Sequence, residues 1–264
     1  MHNHHAALEW WPQLLLAAPF LFLFILYGGL YFLSLQKRKP WPIHRLLLWN
    51  TGLALCLISV FGPLARQAHF DFTAHMAGHL FLGMAGPLLL VLGAPITLLL
   101  RAISVSRARK VSAFLRKPLL RVLTYPILPA LLNVGGLWLL YTTSLYQLMH
   151  EYMLLHILIH LHVFFAGYLF TASIIYIDPI PHRVSYLTRA LVLTAALAGH
   201  GILSKYLYAH PPAGVPAEQA QSGSMLMYYG GDAVDLVIII ILCRHWYRAA
   251  RPRTLPSGSI STHG

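Results

Sequence analysis

The chain has 264 residues, 58% of them hydrophobic and only 10% charged, with a formal charge of +12 when histidine is counted neutral. Soluble proteins carry roughly 25% charged residues, so this composition excludes a soluble enzyme and reads as an all-α, polytopic membrane protein. The excess of Lys and Arg is not a nucleic-acid surface either, because it is parcelled out between apolar runs.

A membrane span needs about 20 apolar residues. Seven such runs follow one another, at 13–35, 44–65, 73–100, 122–144, 151–177, 187–209 and 225–246. Lys37, Arg38, Lys39 and Arg45 separate the first two, and seven basic residues from Arg101 to Arg121 separate the third and fourth. Arg183 and Arg189 lie between the fifth and sixth, and Arg244, Arg248, Arg251 and Arg253 follow the seventh. The alternate connections hold only Arg66 and, at a span end, Lys205. This positive-inside pattern predicts an outer N-terminus and a cytoplasmic C-terminus, with the basic loops lying against anionic lipid. The first run lacks preceding basic residues and is followed by Lys-Arg-Lys, so it reads as a span rather than a cleaved leader. The expectation is one seven-transmembrane-helix domain over residues 1–250 and a flexible Pro/Ser/Gly-rich tail over 251–264. Gly86-Pro87 and Gly93-Ala94-Pro95 should kink the third span. The basic loop 101–121 holds a short amphipathic stretch near 111–115, and loop 210–224 is turn-rich.

Several apolar runs carry ionisable groups. Asp71, His75 and His79 recur at i, i+4, i+8, which is one helical face. Met149, Met153, His156 and His160 form a second stripe, His200 lies in the sixth span, and Met225, Tyr228, Asp232 and Asp235 form a third stripe in the seventh. At 1.5 Å per residue, His79, His160, His200 and the Asp pair fall on the order of 10–15 Å below the outer surface. Hydrocarbon penalises a charged side chain by roughly 2.5–3.5 kcal/mol, so a shared depth in four helices predicts a shared pocket. Taken singly, each histidine reads as an interhelical hydrogen bond, worth about 0.6 kcal/mol.

Neutral imidazole is a common metal ligand, and thioether beside imidazole favours Cu(I). Two HxxxH pairs, with methionines gathered at the same span ends, therefore point to a metal site. Its candidate ligands are His75, His79, His156, His160, His200, Asp232, Asp235, Asp71 and Met153, the carboxylates serving as ligands or as acceptors for ligand N–H groups. His69, Asp71 and His150 border the outer mouth. The alternative for each Met is gap-filling at helix contacts. Cys56 and Cys243 form no CxxC pair, so neither a disulfide nor a thiolate site is expected. Asp178, ahead of Pro179, reads as a helix boundary.

The run Phe72-Thr-Ala-His75-Met-Ala-Gly-His79, continued by Gly86-Pro87 and Leu92-Gly-Ala-Pro95, carries a family resemblance. So do His156 and His160 followed by Gly167 and Phe170, and Met227-Tyr-Tyr-Gly-Gly-Asp232. Together they resemble the CtaG family of multi-span cytochrome c oxidase assembly factors over roughly residues 15–248, with a departure at Gly78. The resemblance implies a helper for maturation of a haem–copper oxidase in a bacterial plasma (inner) membrane, an assembly or metal-handling factor. It implies oxidase subunits as partners and copper as what is handled, and it is compatible with a homo-oligomer. A b-type haem held by two imidazoles between the third and fifth spans is the alternative. A di-iron hydroxylase fits less well because the boxes face outward. A transporter fits less well because no internal repeat is evident.

Overall fold

The computed structural model describes residues 3–251, so the tail expected over 251–264 lies, beyond Arg251, outside the described residues. Every regular element among the described residues is helical. In chain order these are α1 (Asn3–Gln36), α2 (Ile43–Val60), α3 (Pro63–Gln67) and α4 (Phe72–Leu80), then a π-helical turn, Phe81–Ala85. They continue with α5 (Gly86–Leu92), α6 (Pro95–Ala102), α7 (Val105–Leu115), α8 (Pro118–Leu123) and α9 (Ile127–Ala130). A second π-helical turn, Leu131–Gly135, leads into α10 (Gly136–Thr142), α11 (Leu145–Glu151), α12 (Met153–Ile175), α13 (Tyr186–Ala209) and α14 (Ala217–Ala250).

Six of the resulting rods are long and apolar enough to cross a membrane, and the chain is a multi-pass membrane protein. The rod Phe72–Ala102 is the most enclosed, with 56% of its most apolar stretch buried against 22–33% for the others. It is the axis of the bundle. α2 and α12 pack on its middle, α14 on α4, and α1 on α6. Glycines set how closely these rods approach. A Cβ on Gly167 of α12 would drive into the Gly83 backbone, and one on Gly86 would meet the Cys56 sulfur at 2.5 Å. Close backbone approach of this kind is how helices associate where lipid offers no hydrophobic drive.

The fourth span departs from its expected 122–144. Its helical part is Ile127–Thr142, and it bends by 78° into Leu145–Glu151. Thr143 is extended (φ −118°, ψ −179°). The Thr142 and Thr143 hydroxyls donate to the carbonyls of Trp138 and Leu139, each at 2.6 Å. Side chains that bond the backbone locally compete with continuation of the helix. Only as a bent pair does this segment make a seventh span.

The kink expected at Gly93-Ala94-Pro95 is present as a break. Ala94 takes a left-handed conformation (φ 52°), and α6 starts afresh at Pro95. Asp178 supplies the missing cap. Its carboxylate accepts from the Ile96 N–H at 3.0 Å, the Thr97 N–H at 2.7 Å and the Thr97 hydroxyl at 2.6 Å. Asp178 is thus a boundary residue for a helix far from it in sequence. Burial raises its carboxyl above the ordinary value, against the opposing pull of those hydrogen bonds. Arg189, expected as a loop charge, is 3% exposed. It donates to the Ile174 carbonyl at 2.7 Å and lies between the rings of Tyr176 and Tyr186, at 4.2 and 4.3 Å. It neutralises the C-terminal end of α12, where carbonyls are left over.

Candidate metal-handling site

The candidate histidines gather at the end of the bundle opposite the basic loops. Asp71 creates the local geometry there. Its carboxylate caps α4 by accepting from the Thr73 N–H at 2.7 Å and the Ala74 N–H at 3.4 Å, so His75 and His79 leave the helix on one buried face. Being occupied in this way, Asp71 acts as a helix cap at the mouth.

On the facing rod, His156 and His160 have ring centroids 4.1 Å apart. His69, in the connection before α4, stacks on His156 at 5.2 Å and meets His150 at 5.9 Å. His75 lies 6.4 Å from His150. Five imidazoles from three stretches of chain therefore form a contiguous cluster, with Gln13, Ser59 and the Met149 side chain on the walls of the same small cavity. A wider vestibule of about 300 Å³ opens beyond His69 and His150, bordered by Glu151, Gln147 and Gln219.

The hydrogen bonds define which ring atoms are available. A carbonyl can only accept, so the ring nitrogen that meets it must carry the proton. His160 Nδ1–H donates to the His156 carbonyl at 2.8 Å, and His150 Nδ1–H donates to the Tyr146 carbonyl at 2.8 Å. Both rings are thereby held in the tautomer whose Nε2 presents a lone pair. Such a bond on the far nitrogen is what orients a metal-ligating histidine. His75 Nε2 shares a hydrogen with the Tyr141 hydroxyl at 3.0 Å. His156 Nδ1 and both nitrogens of His79 are buried with no hydrogen-bond partner.

His79 links the cluster to a deeper group. With His75, His160 and Met149 it lines a common cavity, and its ring lies 6.5 Å from that of His200. Below, His200 and Asp235 share a narrow cavity with Asn133 and Thr171. Glycine makes room for both rings: Gly83 lies against His79, and a Cβ on Gly231 would meet the His200 ring at 2.6 Å. The π-helical turn Phe81–Ala85 that follows His79 brings Gly83 there. π-turns are frequent at functional sites.

Of the candidate ligands, His75, His79, His156 and His160 are brought together, with His200 and Asp235 adjoining through His79. Met153 and Asp232 are not. Met153 is 55% exposed, because the extended Tyr152 separates α11 from α12 and breaks the stripe read from sequence. Met149, on the other side of that break, is 2% exposed and faces the cavity. Asp232 is exposed on the outer face of α14. Sequence reasoning missed Tyr141, which bonds His75 from the bent fourth span; no spacing in the chain signals it. As placed, no group of three or more His, Cys, Asp and Glu among the described residues is arranged to hold a metal ion.

A family model described as cytochrome c oxidase caa3 assembly factor (Caa3_CtaG) matches residues 11–249. An uncharacterized protein of Mycobacterium leprae (strain TN) is 27% identical over 235 residues, 81% of this chain and 36% of that protein. Uncharacterized proteins of Mycobacterium bovis and Mycobacterium tuberculosis are each 32% identical over 177 residues, 64% of this chain and 27% of theirs. The chain thus spans about a third or less of the length of these relatives. No solved structure matches it.

Proposed function

This chain belongs to the caa3-type cytochrome c oxidase assembly-factor family, and from that premise we propose that it serves oxidase maturation by receiving copper as cargo at its imidazole cluster and passing it to an oxidase subunit. The observation that carries the reading is the pair of tautomer-locked rings. His150 and His160 each spend Nδ1–H on a backbone carbonyl and present Nε2 as a lone pair, beside the Met149 thioether. Imidazole and thioether without thiolate is a donor set suited to Cu(I). The donors are spread along a path rather than closed around a point, which suits a cargo that must leave again. His69 and His150 form the mouth, His75, His156 and His160 the first holding group, and His79 with His200 and Asp235 the deeper one.

The placement of Lys and Arg supports an orientation with this mouth outside the cell and the basic loops in the cytoplasm of a bacterial plasma membrane. The haem alternative has less support. The third and fifth spans come into backbone contact at Gly83 and Gly167, which favours a small ion over a flat macrocycle between them.

The test is a host lacking this chain, complemented with the wild type or with His156→Ala plus His160→Ala. Wild type restores oxidase activity and oxidase-bound copper, and the double variant loses at least tenfold of both. Cu(I) titration of the purified chain against a chromophoric chelator gives the second readout. Unchanged stoichiometry and affinity in the double variant would overturn the proposal.

A further inference from the structure

α14 carries a carboxylate where a lipid-facing helix should carry none. Its exposed stripe runs Met225, Tyr229, Asp232, Leu236, Ile240 and Cys243. Asp232 lies about 10 Å along the helix from Met225 and about 18 Å from Arg244 at 1.5 Å per residue, well inside the apolar part of the rod. It is within electrostatic range of His200 and Asp235, but no hydrogen bond or ion pair reaches it among the described residues. A charge in that position costs roughly 2.5–3.5 kcal/mol, and among the described residues no hydrogen bond or ion pair offsets it.

The neighbouring helix presents the opposite charge on the same side. Lys205 of α13 is exposed, and its ammonium sits 5.2 Å over the Tyr228 ring, one helical turn from Asp232. Gly201 faces Tyr228, and Gly231 faces His200, so the two rods run antiparallel with Lys205 toward the histidine end. Between them lies an open groove of about 310 Å³ bordered by Ser204, Lys205, Ser224, Met225, Tyr228 and Tyr229. The Ser224 hydroxyl is buried there without a partner. In the turns before His200, α13 exposes the small residues Ala195 and Ala198, which let another backbone come close.

We infer that the α13/α14 face is the interface with a second copy of this chain, with Lys205 of each copy paired to Asp232 of the other. A face that holds both a cation and an anion is self-complementary under a two-fold axis. An axis along the membrane normal preserves depth. The Lys205 ammonium, already reaching to the level of Tyr228, then needs about one further turn of travel to meet Asp232 of the partner subunit. A client helix would have to supply both opposite charges on one face, whereas a second copy supplies them by construction. The inference rests on this geometry alone and stands apart from the copper reading.

The test uses full-length chain co-expressed with two different epitope tags and solubilised in mild detergent. Wild-type copies should co-purify. Asp232→Lys alone and Lys205→Asp alone should each reduce co-purification at least tenfold, because every pair then opposes like charges. Co-expression of the Asp232→Lys chain with the Lys205→Asp chain should restore it, because both pairs are again opposite. Tyr229→Cys in a Cys243→Ser background gives a readout in native membranes, where it should cross-link to its own kind. That cross-link should fade with the milder Asp232→Asn. Wild-type copies that do not co-purify, co-purification indifferent to charge, or no rescue in the mixed pair would each overturn the inference, the last two by placing the contact elsewhere or on another protein.

Discussion

Replacing His79 by leucine should make the protein more stable. Both ring nitrogens of His79 are buried with no hydrogen-bond partner, and the side chain is only 6% exposed. A buried polar group left unpaired costs about 1–3 kcal/mol. A leucine of similar bulk removes that penalty, and imperfect fit of a volume-conserving exchange returns less than about 1.5 kcal/mol. The net gain expected is about 1–2 kcal/mol. At about 2–4 °C per kcal/mol for a chain of roughly this size, the melting temperature should rise by several degrees. The assay is thermal unfolding of detergent-solubilised protein followed by tryptophan fluorescence, with a copper chelator present so that cargo cannot contribute. His75→Leu is the internal control with the opposite sign. The His75 ring is bonded to the Tyr141 hydroxyl at 3.0 Å, and its loss strands that hydroxyl in the core, so this variant should melt lower. A His79→Leu protein that melts below the wild type would refute the reasoning, because His79 would then be a structural residue rather than one kept at the expense of stability.

Other consequences are open to measurement. Met149→Ala should weaken Cu(I) binding by at least fivefold in a chelator competition, while Met153→Ala, which removes an exposed side chain, should leave it unchanged. Gly167→Ala forces a methyl into the Gly83 backbone, and over-filling of this kind costs about 1–3 kcal/mol; the variant should melt lower and lose cargo binding together, since α12 carries His156 and His160. Asp178→Ala removes three hydrogen bonds from the start of α6. Loss of a helix cap costs about 0.5–2 kcal/mol, so the melting temperature should fall without any change in Cu(I) affinity.

The sequence by itself determined six of the spans and their rough limits, their likeness to one family and the histidines of the candidate site. The physics behind those features is local: an apolar run long enough for a bilayer must be helical to satisfy its own backbone, and i, i+4 spacing puts His75 beside His79, and His156 beside His160, whatever surrounds them. Which side of a rod faces the bundle is not local. Met149 and Met153 share a stripe only if the helix is unbroken, and the extended Tyr152 between them turns one inward and the other out. Asp232 and Asp235 lie on one α14 helix in the same apolar stretch, yet one is exposed on its outer face and the other lines a cavity with His200, because α13 and α4 cover only part of that helix. Asp178 had the character of a local helix boundary and Arg189 of a loop charge until the break at Ala94 and the end of α12 placed unpaired backbone groups against them. Those assignments depend on which backbone groups are left over after the rods meet, and only the tertiary structure decides that.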